Sequence, residues 1–585
     1  MKRFLRRLAI AAVSWLVVLA IGYLVLYVLF LAPPRIADHS ILHVALAGDL
    51  PEEPTSSMVA RLLRPEELSL ADVLDSLRLA QRDPRIEAVF LEIGDLQTGW
   101  AKVEEVSEAL DSLRRAGKFI AAFLPTAEEK EYLLASAADH VSLAPAGHLL
   151  LNGLTASVTF LRDLLAKVGI QPTIVRIGQY KTAADPLVRS SMSPAEREQL
   201  GANLDDVFER FLERVAERRG LSSRDVLQFV NAGSYRPEPA LGARLIDAVE
   251  YHDQVLARLG QRLGRADPRA ALVPLAVYRR APPAVPGPAP RRTVAIVYGS
   301  GIIVSGKRSF APGVGKLLGA DSFAETLQRA ARDETVAAII VRLDSPGGSA
   351  LASDLLWRDI HRARQRKPVV ASMSDVAASG GYYLAMAAER IVAQPSTLTG
   401  SIGILAAKLN NQDLYQRLGI SREVLARGTY AAAEDESRPF TKEELEQFRR
   451  DIERGYAIFA QKAAQDRGMS LEALDAVAQG RVWTGKLAYA VGLVDVLGGL
   501  QEAVAEAKRL AKIPPDETVR LVTFAPPEPL LQSLLLENLT VSRLAGALLP
   551  IVSEGAWRAL GSVPRLLANL LREPLALMPV WVEID

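Results

Sequence analysis

The run Asp375-Val376-Ala377-Ala378-Ser379-Gly380-Gly381-Tyr382-Tyr383 holds one aliphatic hydroxyl among residues small enough to admit a substrate carbonyl. It follows the apolar stretch Pro368–Ser374, so Ser379 falls at the expected start of a helix, where developing negative charge is favoured. That position also suits an ordinary N-cap serine, and the segment alone does not choose. A second segment, Asp344-Ser345-Pro346-Gly347-Gly348-Ser349, ends another apolar run. Its glycine pair can present backbone N–H groups without Cβ interference, which is how an oxyanion is held in acyl transfer. The same four letters, SPGG, equally spell a turn.

A nucleophilic serine needs a base. The six histidines, His39, His43, His140, His148, His252 and His361, all lie outside glycine-rich or otherwise site-like segments. The chain has no cysteine, which excludes disulfides, thiolate metal sites and a cysteine nucleophile. A lysine serves as base if desolvation lowers its pKa from about 10.4 toward neutrality. Lys181, in Ile177-Gly178-Gln179-Tyr180-Lys181-Thr182-Ala183-Ala184, has the apolar and small neighbours this requires. Taken singly it reads as a solvated surface lysine. The chemistry these groups could do needs no metal and no cofactor.

The elements that must position these residues are written twice. Arg82-Asp83 matches Arg332-Asp333, Ala88–Leu91 matches Ala338–Val341, and Tyr132–Pro145 matches Tyr382–Pro395, all at an offset of 250. Gly153 matches Gly403, Tyr180 matches Tyr430, and Leu245-Ile246-Asp247 matches Leu493-Val494-Asp495 with the offset drifted to 248. A period this long is no solenoid and reads as a tandem domain duplication. The proline-rich segment 279–292 suits a spacer between residues 37–278 and residues 293–525. In the second repeat, apolar runs from Thr293, Ala337 and Pro368 read as buried strands. They alternate with helical patterns over Phe323–Arg332 and Ala350–Arg364, which implies α/β layers around a mostly parallel sheet. Thr441 and Glu444 form a capping box at the head of a long helix reaching Arg467.

Residues 1–36 carry a different signal. Leu8–Ala32 is 25 residues without a charge, long enough to span a bilayer as a helix, with Lys2, Arg3, Arg6 and Arg7 before it. That bias places the N-terminus in the cytoplasm and the body outside. The run is too long for a cleaved signal peptide and lacks a small-x-small site, so a transmembrane anchor is expected. The balance of 69 basic against 68 acidic residues gives no footprint for nucleic acid. The extension 526–585 lies outside the duplication. It is rich in Leu and Pro, and packing on the body, assembly and membrane-surface binding all remain open for it.

Together SPGGS (Ser345–Ser349), AASGGYY (Ala377–Tyr383), TGSIGI (Thr399–Ile404) and GQYKTAADP (Gly178–Pro186) resemble the long, duplicated form of signal peptide peptidase A, or protease IV, of peptidase family S49. The resemblance implies two tandem ClpP/crotonase-like domains after the transmembrane helix. It implies Ser379 as nucleophile, Lys181 as base, Ser401 as the residue orienting the lysine, and Gly347 and Gly348 as oxyanion donors. It implies cleaved signal peptides and other short hydrophobic or unfolded peptides as substrates, a bacterial inner-membrane location, and a homotetramer. One departure stands out: Asp344 occupies a position where the family more often has Asn.

The duplication supplies a test independent of that resemblance. At offset 250, Ser379 corresponds to Glu129, Lys181 to Ala431, and the glycine loop to Asp95-Leu96-Gln97-Thr98. One repeat keeps the lysine and the other keeps the serine and the loop, as expected if the two share one site. A crotonase-type acyl-CoA enzyme and an inactive membrane scaffold are the rival readings; the complementary loss and the anchor weigh against the first, and the intact Ser, Lys and Gly residues against the second.

Overall fold

The computed structural model describes residue 15 and residues 33–54, 67–265, 267–284, 290–311, 315–525 and 575–577. Apart from Trp15, the expected anchor Leu8–Ala32 lies outside the described residues, as does most of the tail beyond Ala525. Among the described residues, no helix is long and apolar enough to cross a membrane.

Each repeat builds its own sheet. In the first, Ala248–Val249, His140–Leu143, Phe119–Leu124, Ile86–Leu96, Ser40–Gly48 and Leu272–Pro274 lie side by side, all parallel. In the second, the parallel order is Leu398–Gly400, Val369–Ala378, Val336–Ser345, Thr293–Ser300 and Arg520–Phe524. Val482–Thr484 closes one edge antiparallel, and Arg390–Ala393 pairs with the first half of Val369–Ala378. Helices Leu70–Arg82 and Trp100–Arg115 of the first repeat answer Ala320–Arg332 and Ala350–Arg364 of the second. Central strands are buried on both faces, which is why they read as continuous apolar runs. The long helix of the second repeat is Lys442–Arg467, capped by Thr441 and Glu444 as expected, and it ends at left-handed Gly468. Its counterpart Pro194–Arg219 ends at left-handed Gly220.

The likeness extends to single bonds. Tyr132 Oη donates to Leu245 O at 2.7 Å, and Tyr382 Oη to Leu493 O at 3.0 Å. Asp247 accepts from Val141 N–H and Arg219, and Asp495 from Ile391 N–H and Arg467. These polar pairs tie each sheet's edge to its long helix, and leaving the buried Tyr132 or Tyr382 hydroxyl unpaired would cost about 1–3 kcal/mol.

The repeats part company after Gly153 and Gly403. In the first, Gln171–Ile177 leaves its own sheet and pairs antiparallel with Ile404–Asn410 of the second, from Ile177 opposite Ile404 to Gln171 opposite Asn410. Its alternation explains the trespass. Val175 and Ile177 pack into the core of the second repeat, while Ile174 joins a separate cluster with Ala184, Leu187, Leu405 and Leu409. The matching stretch of the second repeat, 421–427, is exposed coil.

Candidate active site

Because Gln171–Ile177 crosses over, the loop that follows it is laid against the second repeat. Tyr180 N–H donates to Gln479 O at 2.9 Å, and Gln199 Nε2 donates to Tyr180 O and Thr182 Oγ1. Gly480 lies so near that a Cβ there would stand 2.6 Å from Lys181 Cβ, and its φ of +79° is a glycine's. Lys181 is thereby driven inward and is 0% exposed. Its Nζ lies 2.6 Å from Ser379 Oγ, 2.9 Å from Ser401 Oγ and 2.9 Å from Ser401 O. Burial pulls its pKa well below the ordinary 10.5, with no carboxylate among the described residues beside it to offset that pull.

Ser379 occupies the N-cap position of helix Gly380–Met386, yet its hydroxyl makes no capping bond. Its backbone instead adopts φ +57° and ψ −112°, which a non-glycine residue holds only where its surroundings impose it. The amide donates to Gly400 O at 2.8 Å and the carbonyl accepts from Tyr383 N–H at 2.8 Å, so the sharp turn from strand to helix is pinned on both sides. Ser401, with φ +53°, is fixed by its N–H to Arg481 O at 2.7 Å.

The glycine pair is required by space as well as by conformation. A Cβ on Gly348 would stand 2.1 Å from Ile303 O. One on Gly380 would stand 3.1 Å from Gly347 Cα and 3.2 Å from Gly348 N, so the glycine strand borders the residue after Ser379. Gly347 N–H already donates to Ser345 Oγ at 3.2 Å, and Ser345 Oγ donates to Gly301 O at 2.7 Å. Of the two amides, that of Gly348 is the one without a protein side chain drawing on it. The position matching Ser379 in the first repeat is closed. The Glu129 carboxylate accepts from Asn152 N–H at 2.8 Å and Gly153 N–H at 2.7 Å.

Comparison with known proteins bears on what this site belongs to. The model for peptidase family S49 matches residues 112–265 and again 361–514. The chloroplastic serine protease SPPA of Arabidopsis thaliana is 38% identical over 86% of this chain and 73% of its own length. Protease 4 of Salmonella typhi is 32% identical over 77% of this chain and 73% of its own, and that of Haemophilus influenzae 27% over 78% and 75%. The chain belongs to peptidase family S49. It is a serine protease, and the acyl-CoA enzyme and inactive scaffold expected as rivals give way. Lys181 lies in the first S49 segment, and Ser379 and Ser401 in the second.

The candidate site also rests on groups that sequence reading passed over. Lys102, from the first repeat, places Nζ 2.9 Å from Asp344 Oδ2 and 3.4 Å from Asp375 Oδ2 of the second. Asp375 also accepts from Gly99 N–H and Lys102 N–H, so it caps helix Trp100–Arg115 across the boundary between repeats. A Cβ at Gly99 would meet that carboxylate at 2.3 Å. Burial opposes the charge on Lys102, but Asp344 and Asp375 outweigh it and hold the lysine above its usual range. Burial pushes Asp375 up to about 6, against the pull of Lys102. Asp344 in place of Asn is thus matched by a cation from the other repeat, and its Oδ1 also accepts from Val376 N–H. Deeper still, Arg342 of the second repeat meets Glu52 at 2.6 Å and Glu105 at 2.7 Å, with no exposed surface.

Proposed function

We propose that this S49 serine protease works by a Ser–Lys dyad in which Ser379 is the nucleophile and Lys181 the general base. The observation that carries the reading is the 2.6 Å approach of a buried amine to a hydroxyl. A neutral amine has two N–H donors and one lone pair. Ser401 O and Oγ take the two donors at 2.9 Å each, which leaves the lone pair for the Ser379 O–H. Lys181 then accepts the Ser379 proton as Oγ attacks the peptide carbonyl. The Gly348 N–H, with Gly347 shaping the loop, stabilises the oxyanion. Lys181 returns the proton to the leaving amine, and water, activated by the same lysine, releases the acyl group.

The substrates proposed are short or unfolded hydrophobic peptides, cleaved signal peptides among them. Leu8–Ala32 would anchor the body beside the bilayer in which such peptides remain, on the extracytoplasmic side, and the chain would assemble into a tetramer. The domain limits proposed are 37–278 for the lysine-bearing repeat and 293–525 for the serine-bearing one. A fluorophosphonate probe tests the dyad: it should modify Ser379, and the modification should vanish in Lys181→Ala. Equal labelling of both proteins would sink the assignment of the base.

A further inference from the structure

Residues 479–481 of the second repeat lie against two loops at once. Gln479 O accepts from Tyr180 N–H of the lysine loop at 2.9 Å. Gly480 N–H donates to Ile402 O at 2.8 Å, and Arg481 O accepts from Ser401 N–H at 2.7 Å. The lysine loop belongs to the first repeat and the Ser401 loop to the second. This segment therefore sets how far Lys181 stands from the serine that takes its N–H bonds. It does so in an awkward conformation, with φ +50° at Gln479 and +79° at Gly480. A non-glycine residue persists there only where its surroundings hold it.

The Arg481 side chain supplies the hold. Its guanidinium carbon lies over two rings, 4.8 Å from the centre of Tyr180 and 4.4 Å from that of Trp483. It donates to Tyr180 Oη at 3.2 Å and to Glu198 Oε1 at 2.8 Å, and Tyr180 Oη donates to Glu198 at 3.1 Å. Tyr180 directly precedes Lys181, and Trp483 pairs with Thr399, two residues before Ser401. One planar cation thus touches the residue before the lysine and the strand beside the one that leads to Ser401. Glu198 is 54% exposed, so its ion pair contributes little by itself. The holding contacts are the two ring faces, which a lysine would not cover in the same way.

The duplication separates this role from a requirement of the fold. Helices Pro237–Gly242 and Gly485–Ala490 stand at the offset of 248 already met at Leu245 and Leu493. At that offset Arg481 corresponds to Gly233 and Trp483 to Tyr235. Tyr430, the counterpart of Tyr180, is 48% exposed. The first repeat builds its layers without the cation, and the cation stands in the repeat that carries the serine.

We propose that Arg481 is a positioning residue of the dyad: its guanidinium, seated on Tyr180 and Trp483, clamps the lysine loop of one repeat to the Ser401 loop of the other and keeps water from Lys181. The inference rests on the Ser–Lys reading. Burial is what lowers the Lys181 pKa, and none of the charged groups around its loop, Arg176, Asp185, Glu196, Glu198 and Arg481, offsets it. A loosened clamp admits water and restores the charge on the amine at neutral pH. The reaction then slows while substrate binding is left alone.

The test compares the full chain with Arg481→Met, which keeps an apolar stem and loses the planar cation. Fluorophosphonate labelling of Ser379, and kcat and KM for an uncharged chromogenic tetrapeptide, are followed from about pH 5 to 10. At pH 7, labelling and kcat are expected to fall about tenfold or more with KM within about twofold. The midpoint of the profile should move up by about one pH unit, so that the deficit shrinks to about threefold at pH 10. Arg481→Lys should recover little of the loss. A loss equal at every pH, a change in KM alone, or no change would overturn the proposal. Tyr180→Phe, which keeps the ring and removes the Oη acceptor, carries the test if Arg481→Met does not fold. It should act in the same direction by about threefold, and an unmoved midpoint overturns the proposal there too. If Lys181→Ala is labelled as fast as the wild type, the dyad reading fails. Hydrogen exchange at the Tyr180 and Ser401 amides then decides the clamp, which stands if Arg481→Met exchanges faster there and falls if it does not.

Discussion

At the residue scale, the role proposed for Lys181 carries a structural cost. An amine fully withdrawn from water with no anion beside it resists protonation. Its pKa is lowered on folding, so between the folded value and the unfolded value near 10.4 the unfolded chain binds more protons than the folded one. Stability contributed by this group is therefore complete above the unfolded pKa and is lost as pH falls through that window. Two outcomes follow. The ratio kcat/KM should rise with pH as Lys181 deprotonates, with a midpoint well below 10.5 in a profile taken from pH 5 to 10. Lys181→Met should lose activity by roughly 10⁴-fold or more yet unfold at higher temperature, by about 1–2 kcal/mol at neutral pH, a gain that shrinks toward pH 10 in parallel thermal melts. Lys181→Arg should not rescue activity, because a guanidinium stays charged.

At the scale of elements, the loops of the candidate site are held by a clamp made between repeats. Strand Val369–Ala378 brings Asp375 up to the N-terminus of helix Trp100–Arg115, and Lys102 on that helix clamps Asp375 and Asp344 together. Removing the cation alone strands two carboxylates at the base of the oxyanion loop. Lys102→Met is expected to lower kcat about tenfold or more with little change in KM, and adding Asp344→Asn should recover most of the loss. A KM effect without a kcat effect would refute the positioning role. Gly480 is a second element-level test. Gly480→Ala must push on Lys181 and strain a φ of +79°, so it should cost on the order of 10²-fold in kcat while far-UV circular dichroism stays unchanged.

At the scale of the whole molecule, a strand of the first repeat completes a sheet of the second, which brings the two halves of the proposed dyad together. The lysine and the serine then belong to the same chain. Full-length Lys181→Ala and Ser379→Ala chains, coexpressed, are therefore expected to recover no peptidase activity. Recovery toward a quarter or half of the wild-type level would mean that sites form between chains.

Most of the layered architecture was legible from residues 293–378, where buried parallel strands show as unbroken apolar runs and their helices as 3.6-residue patterns. The capping box at Thr441 is a local signal and was equally readable. Lys102 carried no such signal, since a lysine near a helix start reads as solvated until a partner surface arrives. The tail strand Leu575–Leu577 carried even less, because three uncharged residues between prolines have no periodicity to read. What the sequence determined by itself was the inventory: two repeats, a serine and a glycine pair in one, a lysine in the other, each loss complementary. What only the tertiary structure decided was the meeting. Periodicity and capping act over a few residues, whereas the 198-residue reach from Lys181 to Ser379 depends on which sheet edge accepts Gln171–Ile177, and that is settled by the packing of both faces of the strand at once.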